Sequence, residues 1–275
     1  MEFNPHITKR WNYRKADTKL VEQLKEEKFD LVLDLQKNIS SKKLISALSV
    51  PRKTFEKKNI SKWLFVNFKY PALNIPHLVD RYFEAFDLEN DEKGLEFFID
   101  PSLADKDDNE KYICIALGAA HNTKQIPDSI VMQICDRVEA KIYLLGGTQD
   151  KEKGEKIAKS RAHVENCAGT HSIHQSAQKL GSAQLLVTGD TGLMHMAVAL
   201  SVPTVVLWGN TVPEFGMSPY YGKKEIFTYN HEVNGLSCRP CSKLGKKECP
   251  KTHFNCMNKQ NIDLIVEQIL SFIDV

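Results

Sequence analysis

The feature that most constrains this chain is an alternation that begins at Lys111 and runs almost to the end. Short apolar runs alternate with amphipathic helical stretches. Residues 112–117 (YICIAL) end at Gly118, and after Pro127 the residues Ile130, Val131, Ile134 and Val138 share one helical face. Residues 142–147 (IYLLGG) read as a strand, followed by a charged helix around 151–161. A weaker strand in HVENCAG precedes a helix over about 172–181. QLLVTGD (184–190) runs directly into TGLMHMAVAL, and PTVVLWGN (203–210) follows. Strands of about 5–6 residues alternating with helices of about 10 cannot form hairpins. They predict an α/β fold with a parallel sheet and helices on both faces. Ile262, Ile265, Val266, Ile269 and Leu270 form the stripe of a closing helix. Before Lys111, only residues 21–36 (VEQLKEEKFDLVLDLQ) show a clear helix–strand unit.

At roughly 100–200 residues per domain, 275 residues suggest two domains. An acidic, Gly- and Pro-punctuated stretch from Asp87 to Glu110 reads as the tail of the first domain and a linker. The expected boundary is near residue 105, giving domains 1–105 and 106–275. Hydrophobic residues make up 42% and charged residues 26%, with a net charge of +2. This balance argues against a disordered chain and against a nucleic-acid binder. The charge is uneven. Residues 1–70 hold 16 Lys/Arg against 8 Asp/Glu, and residues 71–110 hold 3 against 12. Two readings of the basic region stay open: solvated helix faces, or a surface that attracts anionic ligands or an anionic membrane. No apolar run reaches the ~18–20 residues of a transmembrane helix. The N-terminus lacks the apolar core of a secretory signal, and the seven cysteines then point to a reducing cytoplasm.

In a parallel sheet, ligands bind beyond the carboxyl ends of the strands. Four such ends carry candidate residues. In GDTGLMH, Asp190 or Thr191 can cap a helix, and Gly192 lets a ligand approach the first-turn amides, a ready phosphate site. His195 lies one turn further on and can donate to a phosphate oxygen, or can be a satisfied core histidine. In LGAAHNTKQIP, Lys124 can place a charge on a diphosphate or lie free on the surface. Gly146 and Gly147 keep a strand end open, with Asp150 or Glu152 near for ribose hydroxyls, and Gly209, Asn210 and Thr211 can line the same cleft. Separately, Cys238-x2-Cys241-x7-Cys249-x6-Cys256 suggests either a structural zinc site or a set of reduced thiols.

GDTGLMHMAVALSVPTVVLWGNT resembles the signature of the bacterial lipopolysaccharide heptosyltransferases, glycosyltransferase family 9. LGAAHNTKQIP, FDLVLDLQKNISSKKL and HLVDRY (77–82) are similar to three further family segments, in the same order. The resemblance implies a GT-B glycosyltransferase of two Rossmann-like domains. The C-terminal domain would bind an ADP-sugar, typically ADP-heptose. The N-terminal domain would hold a lipid-linked acceptor, the inner core of lipopolysaccharide, at the cytoplasmic face of the inner membrane. By position, Ala119, Lys124, Asp190, Thr191, Gly192, Leu193 and His195 would contact the donor, and Asp34, Gln36, His77 and Arg81 would lie on the acceptor side. Transfer would invert the anomeric carbon without a catalytic metal, with Lys124 and the helix dipole stabilising the departing ADP.

Three departures qualify this expectation. Ala119 and Ala120 replace hydroxyl residues, and His171 stands at a loop position often apolar in the family. The family's opening Gly-Asp loop, with its expected catalytic base, has no counterpart. At ~30 residues per unit, about 60 residues of the pattern are absent, which implies an incomplete N-terminal domain. A non-catalytic remnant that still binds ADP or an ADP-sugar is therefore the alternative function. A dinucleotide oxidoreductase is disfavoured because no strand is followed by Gly-x-Gly-x-x-Gly.

Overall fold

The computed structural model describes residues 3–13, 18–70, 74–103 and 111–273. The first half contains α1 (Thr18–Glu26), β1 (Val32–Asp34), α2 (Ile39–Leu48), β2 (Arg52–Thr54), α3 (Asn59–Phe68) and α4 (Leu78–Ala85). Its two strands pair in parallel, Leu33 opposite Lys53. The second half runs β3 (Tyr112–Ala116), α5 (Asp128–Arg137), β4 (Lys141–Leu145), α6 (Lys151–Ala158), β5 (Val164–Asn166) and α7 (Ile173–Gly181). It continues with β6 (Leu185–Thr188), α8 (Gly192–Ala199), β7 (Thr204–Trp208), β8 (Thr228–Glu232), α9 (Asn255–Asn258) and α10 (Ile262–Ile273).

The large sheet is six-stranded and wholly parallel, in the order β5-β4-β3-β6-β7-β8. The chain moves outward from β3 in one direction, then returns to β3's other side with β6. The reversal lies between β3 and β6, where a crevice opens in doubly wound sheets. Every residue of β3 is buried because both sheet faces are covered. Ile113, Ile115 and Leu117 pack with α5 and α10 on one face, and Tyr112, Cys114 and Ala116 pack with α7 and α8 on the other.

The expected strands and helices from Lys111 onward are present, with the helix expected over 151–161 ending at Ala158. One strand, β8, was not anticipated. Its sequence, TYNHE, carries no apolar run because it is an edge strand held by backbone pairing to β7 and by Trp208 Nε1, which donates to Asn230 Oδ1 at 2.8 Å. The first half also holds more than its one expected unit: β2 is RKT, too polar to register as a strand. The acidic stretch expected as a linker is anchored in part, since Phe97 and Ile99 pack against the α7–α8 face. The expected boundary near 105 falls within 104–110, outside the described residues.

The two halves meet closely. Phe65 and Ile75 cluster with Val212 and Phe215. The Leu78 amide donates to Gly216 O at 2.7 Å, and Lys69 Nζ donates to Pro240 O and to Val66 O. Gly216 has φ +71°, and a Cβ there would collide with Pro76 O, so this junction requires glycine.

Candidate active site

At the β3/β6 reversal lies a cleft of about 400 Å³, lined by Gly118 and Ala119 after β3, Gly146, Gly147 and Asp150 after β4, and Thr191, Gly192 and Leu193 at the start of α8. Thr191 is the N-cap: its Oγ1 accepts the Met194 amide at 3.3 Å and lies 3.0 Å from Thr188 Oγ1. The amides of Gly192 and Leu193, in the first turn, have no intrahelical acceptor. A Cβ built on Gly192 would meet nothing within 4 Å, so this glycine faces open space. The N-terminal end of α8 thus borders the cleft, and the positive end of a helix dipole there suits an anion.

Behind this rim, Lys124 and Asp190 form a buried ion pair. Their side chains are 12% and 7% exposed, with Nζ 2.6 Å from Oδ2. Thr211 Oγ1 donates to the same oxygen at 2.8 Å. Lys124 stands in a 3-10 turn, Asn122–Lys124, ahead of α5, and is not free on the surface. The loop is held close: a Cβ on Gly189 would strike Lys124 O. Asp150 is buried, with Oδ2 accepting the Gly147 amide at 2.8 Å, so one of its lone pairs already serves the loop. Glu152 is exposed and outside the cleft. Gly209, Asn210 and Thr211 do not line it either. Gly209 O accepts from Arg239, Asn210 faces the cysteine segment, and Thr211 supports Asp190.

His195 does not line this cleft. It lines a second cavity, about 770 Å³, between the halves, together with His77, Tyr82, Phe83 and Met217. Burial holds its pKa below the ordinary histidine value; Asp190 pulls the other way, and His77 and Lys124 reinforce the lowering. His77 caps α4: Nδ1 accepts the Val79 amide at 3.2 Å, and Nε2 faces Ser218 O at 2.9 Å, which places the proton on Nε2. Its ring stacks on Tyr220, and burial lowers its pKa too. So the helix start seen as one motif in sequence serves two cavities, Thr191 and Gly192 one and His195 the other.

The other acceptor-side residues are not gathered with His77 in the same way. Asp34 is buried, but Oδ1 accepts the Gln36 and Lys37 amides at 3.0 and 2.8 Å, and Oδ2 accepts Ser41 Oγ at 2.9 Å. Burial raises its pKa, yet these bonds outweigh burial and the net shift is downward. Gln36 is exposed and bonds Asn38. Arg81 is 2% exposed; Nη1 donates to Glu56 O at 3.2 Å, while Nε and Nη2 have no hydrogen-bond partner among the described residues.

Sequence reasoning missed Lys62. It sits on α3, 7% exposed, over the Phe215 ring, and burial followed by repulsion from Arg81 lowers its pKa to about 8. No spacing marks it, because only the docking of the halves buries it. His171, Ser176 and Ile173 also line the cleft at the start of α8.

Cys238, Cys241, Cys249 and Cys256 all border one small cavity of about 10 Å³, with His253 Nε2 3.9 Å from Cys238 Sγ. All four are free thiols, and among the described residues no three His, Cys, Asp or Glu side chains are grouped as metal ligands would be. The segment is tied to the loop carrying Lys124 by Thr123, whose Oγ1 and amide both donate to Lys246 O.

The sequence model of glycosyltransferase family 9 (heptosyltransferase) matches residues 18–251. The chain belongs to that family. Lipopolysaccharide heptosyltransferase 1 of Pseudomonas aeruginosa is 29% identical over 237 residues, covering 81% of this chain and 64% of the relative. The chain thus spans less than two-thirds of that relative's length. Lipopolysaccharide heptosyltransferase 2 of Salmonella typhimurium is 34% identical over 79 residues, 27% of this chain and 23% of its own. Among solved structures, E. coli ADP-heptose lps heptosyltransferase II aligns with TM-score 0.68 and 19% identity, over 92% of this chain and 79% of its own. E. coli heptosyltransferase WaaC with ADP aligns with TM-score 0.61 and 16% identity, over 92% and 77%. At such identities the structural likeness concerns the family 9 fold, an α/β architecture of GT-B type.

Proposed function

We propose that this family 9 chain binds an ADP-sugar in the cleft at the start of α8 and serves heptose transfer to the inner core of lipopolysaccharide. The observation that carries the reading is the open face of Gly192 at the start of α8, with the Lys124–Asp190 pair behind the cleft. A diphosphate laid on Gly192 would meet the helix dipole, and Lys124 would supply the positive charge that a departing ADP needs. That charge is one a divalent cation supplies in other transferases, which supports a metal-independent, inverting displacement. The acceptor would enter between the halves, toward His77 and His195, from the cytoplasmic face of the inner membrane. No helix among the described residues is long and apolar enough to cross a membrane.

A second reading is binding of ADP or an ADP-sugar without transfer. It is favoured by Asp34, whose two oxygens are occupied by its own loop. Calorimetric titration with ADP tests the shared donor site, and release of ADP from ADP-heptose in the presence of core acceptor separates the two. Absence of ADP binding sinks both. A structural zinc among Cys238, Cys241, Cys249 and Cys256 is a separate proposal, supported by their spacing and shared cavity. Stoichiometric zinc that is lost in Cys241→Ser supports it, and metal-free purified protein removes it.

A further inference from the structure

The cysteine-bearing segment contains an arginine placed unlike a surface cation. Arg239 lies between Cys238 and Pro240, and its side chain is only 9% exposed. Its Nε donates to Gly209 O at 2.7 Å and its Nη2 to Thr211 O at 2.9 Å. The Cys241 amide donates to the carbonyl between them, Asn210 O, at 3.2 Å. Three consecutive carbonyls after β7 are therefore held by residues 239–241. The guanidinium is fixed in turn by an ion pair with Glu232, which stands opposite Trp208 in the β7–β8 register. A planar fork of donors can hold two carbonyls at once, which a lysine ammonium does not match. A second arm leaves the same segment. Lys246 O accepts from the Thr123 amide and hydroxyl at 3.2 and 3.0 Å, and the Lys246 amide donates to Thr123 Oγ1 at 2.8 Å. The two arms meet, since a Cβ built on Gly209 would stand 2.6 Å from Thr123 O.

We infer that Arg239 is a positioning residue for the diphosphate end of the donor, acting through Thr211 and Asp190 on Lys124. The first arm ends at Thr211, whose Oγ1 donates to Asp190 Oδ2 at 2.8 Å, and that same oxygen lies 2.6 Å from Lys124 Nζ. The second arm ends at Thr123, the residue before Lys124. The segment thus fixes the lysine twice, once through its backbone and once through its carboxylate partner. Arg239 itself does not line the cleft, and its charge faces Glu232. What it supplies to the donor is therefore geometry. A lysine side chain has four rotatable bonds to order, and a carboxylate that is itself held in place narrows where the ammonium can go. A misplacement of about 1 Å is enough to forfeit much of what a well-placed group contributes. The same segment is held from the first half, since Lys69 Nζ donates to Pro240 O and, at 3.4 Å, to Cys238 O. The inference rests on the reading that a diphosphate lies at the start of α8, while the chain of contacts itself does not depend on it.

The test joins amide hydrogen exchange of the full chain, read by mass spectrometry on its peptides, with calorimetric titration of ADP. Arg239→Lys keeps a charge for Glu232 but cannot hold both carbonyls in the same way. It is expected to exchange faster over residues 121–125, 209–212 and 239–246, with β3 and β6 unchanged, which shows that the sheet is folded. It is also expected to bind ADP about tenfold more weakly. In the Lys124→Ala background, adding Arg239→Lys should change ADP affinity by less than about twofold, because the group it positions is gone. Thr123→Val cuts the other arm at nearly constant volume and is expected to repeat the pattern. A loss of ADP affinity that is equally large in the Lys124→Ala background overturns the inference, since Arg239 would then act without Lys124. So does an Arg239→Lys variant that binds ADP as the wild type does. Exchange that changes as expected, in a wild-type protein that fails to bind ADP, would instead overturn the donor-site reading alone.

Discussion

Asp190 is buried with two partners, Lys124 and Thr211, so removing Lys124 has two separable consequences. Breaking a buried pair leaves a charge without compensation, a cost of about 3–5 kcal/mol. Lys124→Ala is therefore expected to melt earlier and to bind ADP roughly ten- to hundredfold more weakly, the span expected for a lost charge-assisted bond. Adding Asp190→Asn should recover the melting temperature but not the affinity. A double variant that binds ADP normally by calorimetry would make Lys124 a scaffold residue only. Gly192 offers the converse. Because nothing lies within 4 Å of its built Cβ, Gly192→Val should leave the melting temperature nearly unchanged and weaken ADP at least severalfold by filling the cleft. Asp34 behaves differently from both. Its carboxyl is held below its ordinary value by three hydrogen bonds, so its stabilisation is full above the unfolded pKa of ~3.9 and is lost as pH falls through the lower folded value. Asp34→Asn should lower the urea midpoint at pH 7, and the gap should close under acid conditions.

At the scale of elements, α3 and α8 show opposite kinds of legibility. Helix α8 was readable: Thr191 caps it, Gly192 opens it, and the preceding strand ends where the crevice begins. Helix α3 was not, since its sequence NISKWLFVNF carries no sign that the lysine would be the buried side. Lys62 titrates at about 8 in the fold against ~10.4 in an unfolded chain. The folded state therefore binds fewer protons over that window, and the relative stability present above it is lost as pH falls through 8. Lys62→Met should raise the melting temperature at pH 7 by several degrees, with the gain shrinking toward pH 10. A destabilised variant at pH 7 would mean that the amine has an essential partner. Strand β8 was illegible for a simpler reason. Its TYNHE residues join the sheet by backbone pairing at an edge, and edge pairing leaves no hydrophobic period.

Across the described residues, four half-buried or buried histidines, His77, His171, His195 and His231, have pKa values lowered by burial. Each contributes stability above its unfolded pKa near 6.5 that is lost as pH falls through its lower folded value. Since His77 bonds Ser218 across the halves, acidification from pH 7.5 to 5.5 should lower the melting temperature and loosen that junction first. His77→Gln should flatten the dependence, and an unchanged slope would assign it to the other three.

By itself, the sequence determined the parallel sheet, the order of most of its elements and the helix start that borders the cleft. These follow from local periodicity and capping, which act over a few residues. The family also lay in the sequence, because its motifs are short and contiguous around Asp190, Lys124 and His77. The tertiary structure alone decided which residues share a cavity. It separated His195 from Thr191, closed Asp34 within its own loop and turned Gly209, Asn210 and Thr211 away from the cleft. It also buried Lys62 and left Trp63 outside. Each of these depends on how one half meets the other or how one loop closes on itself, and contacts between distant segments leave no trace in local pattern.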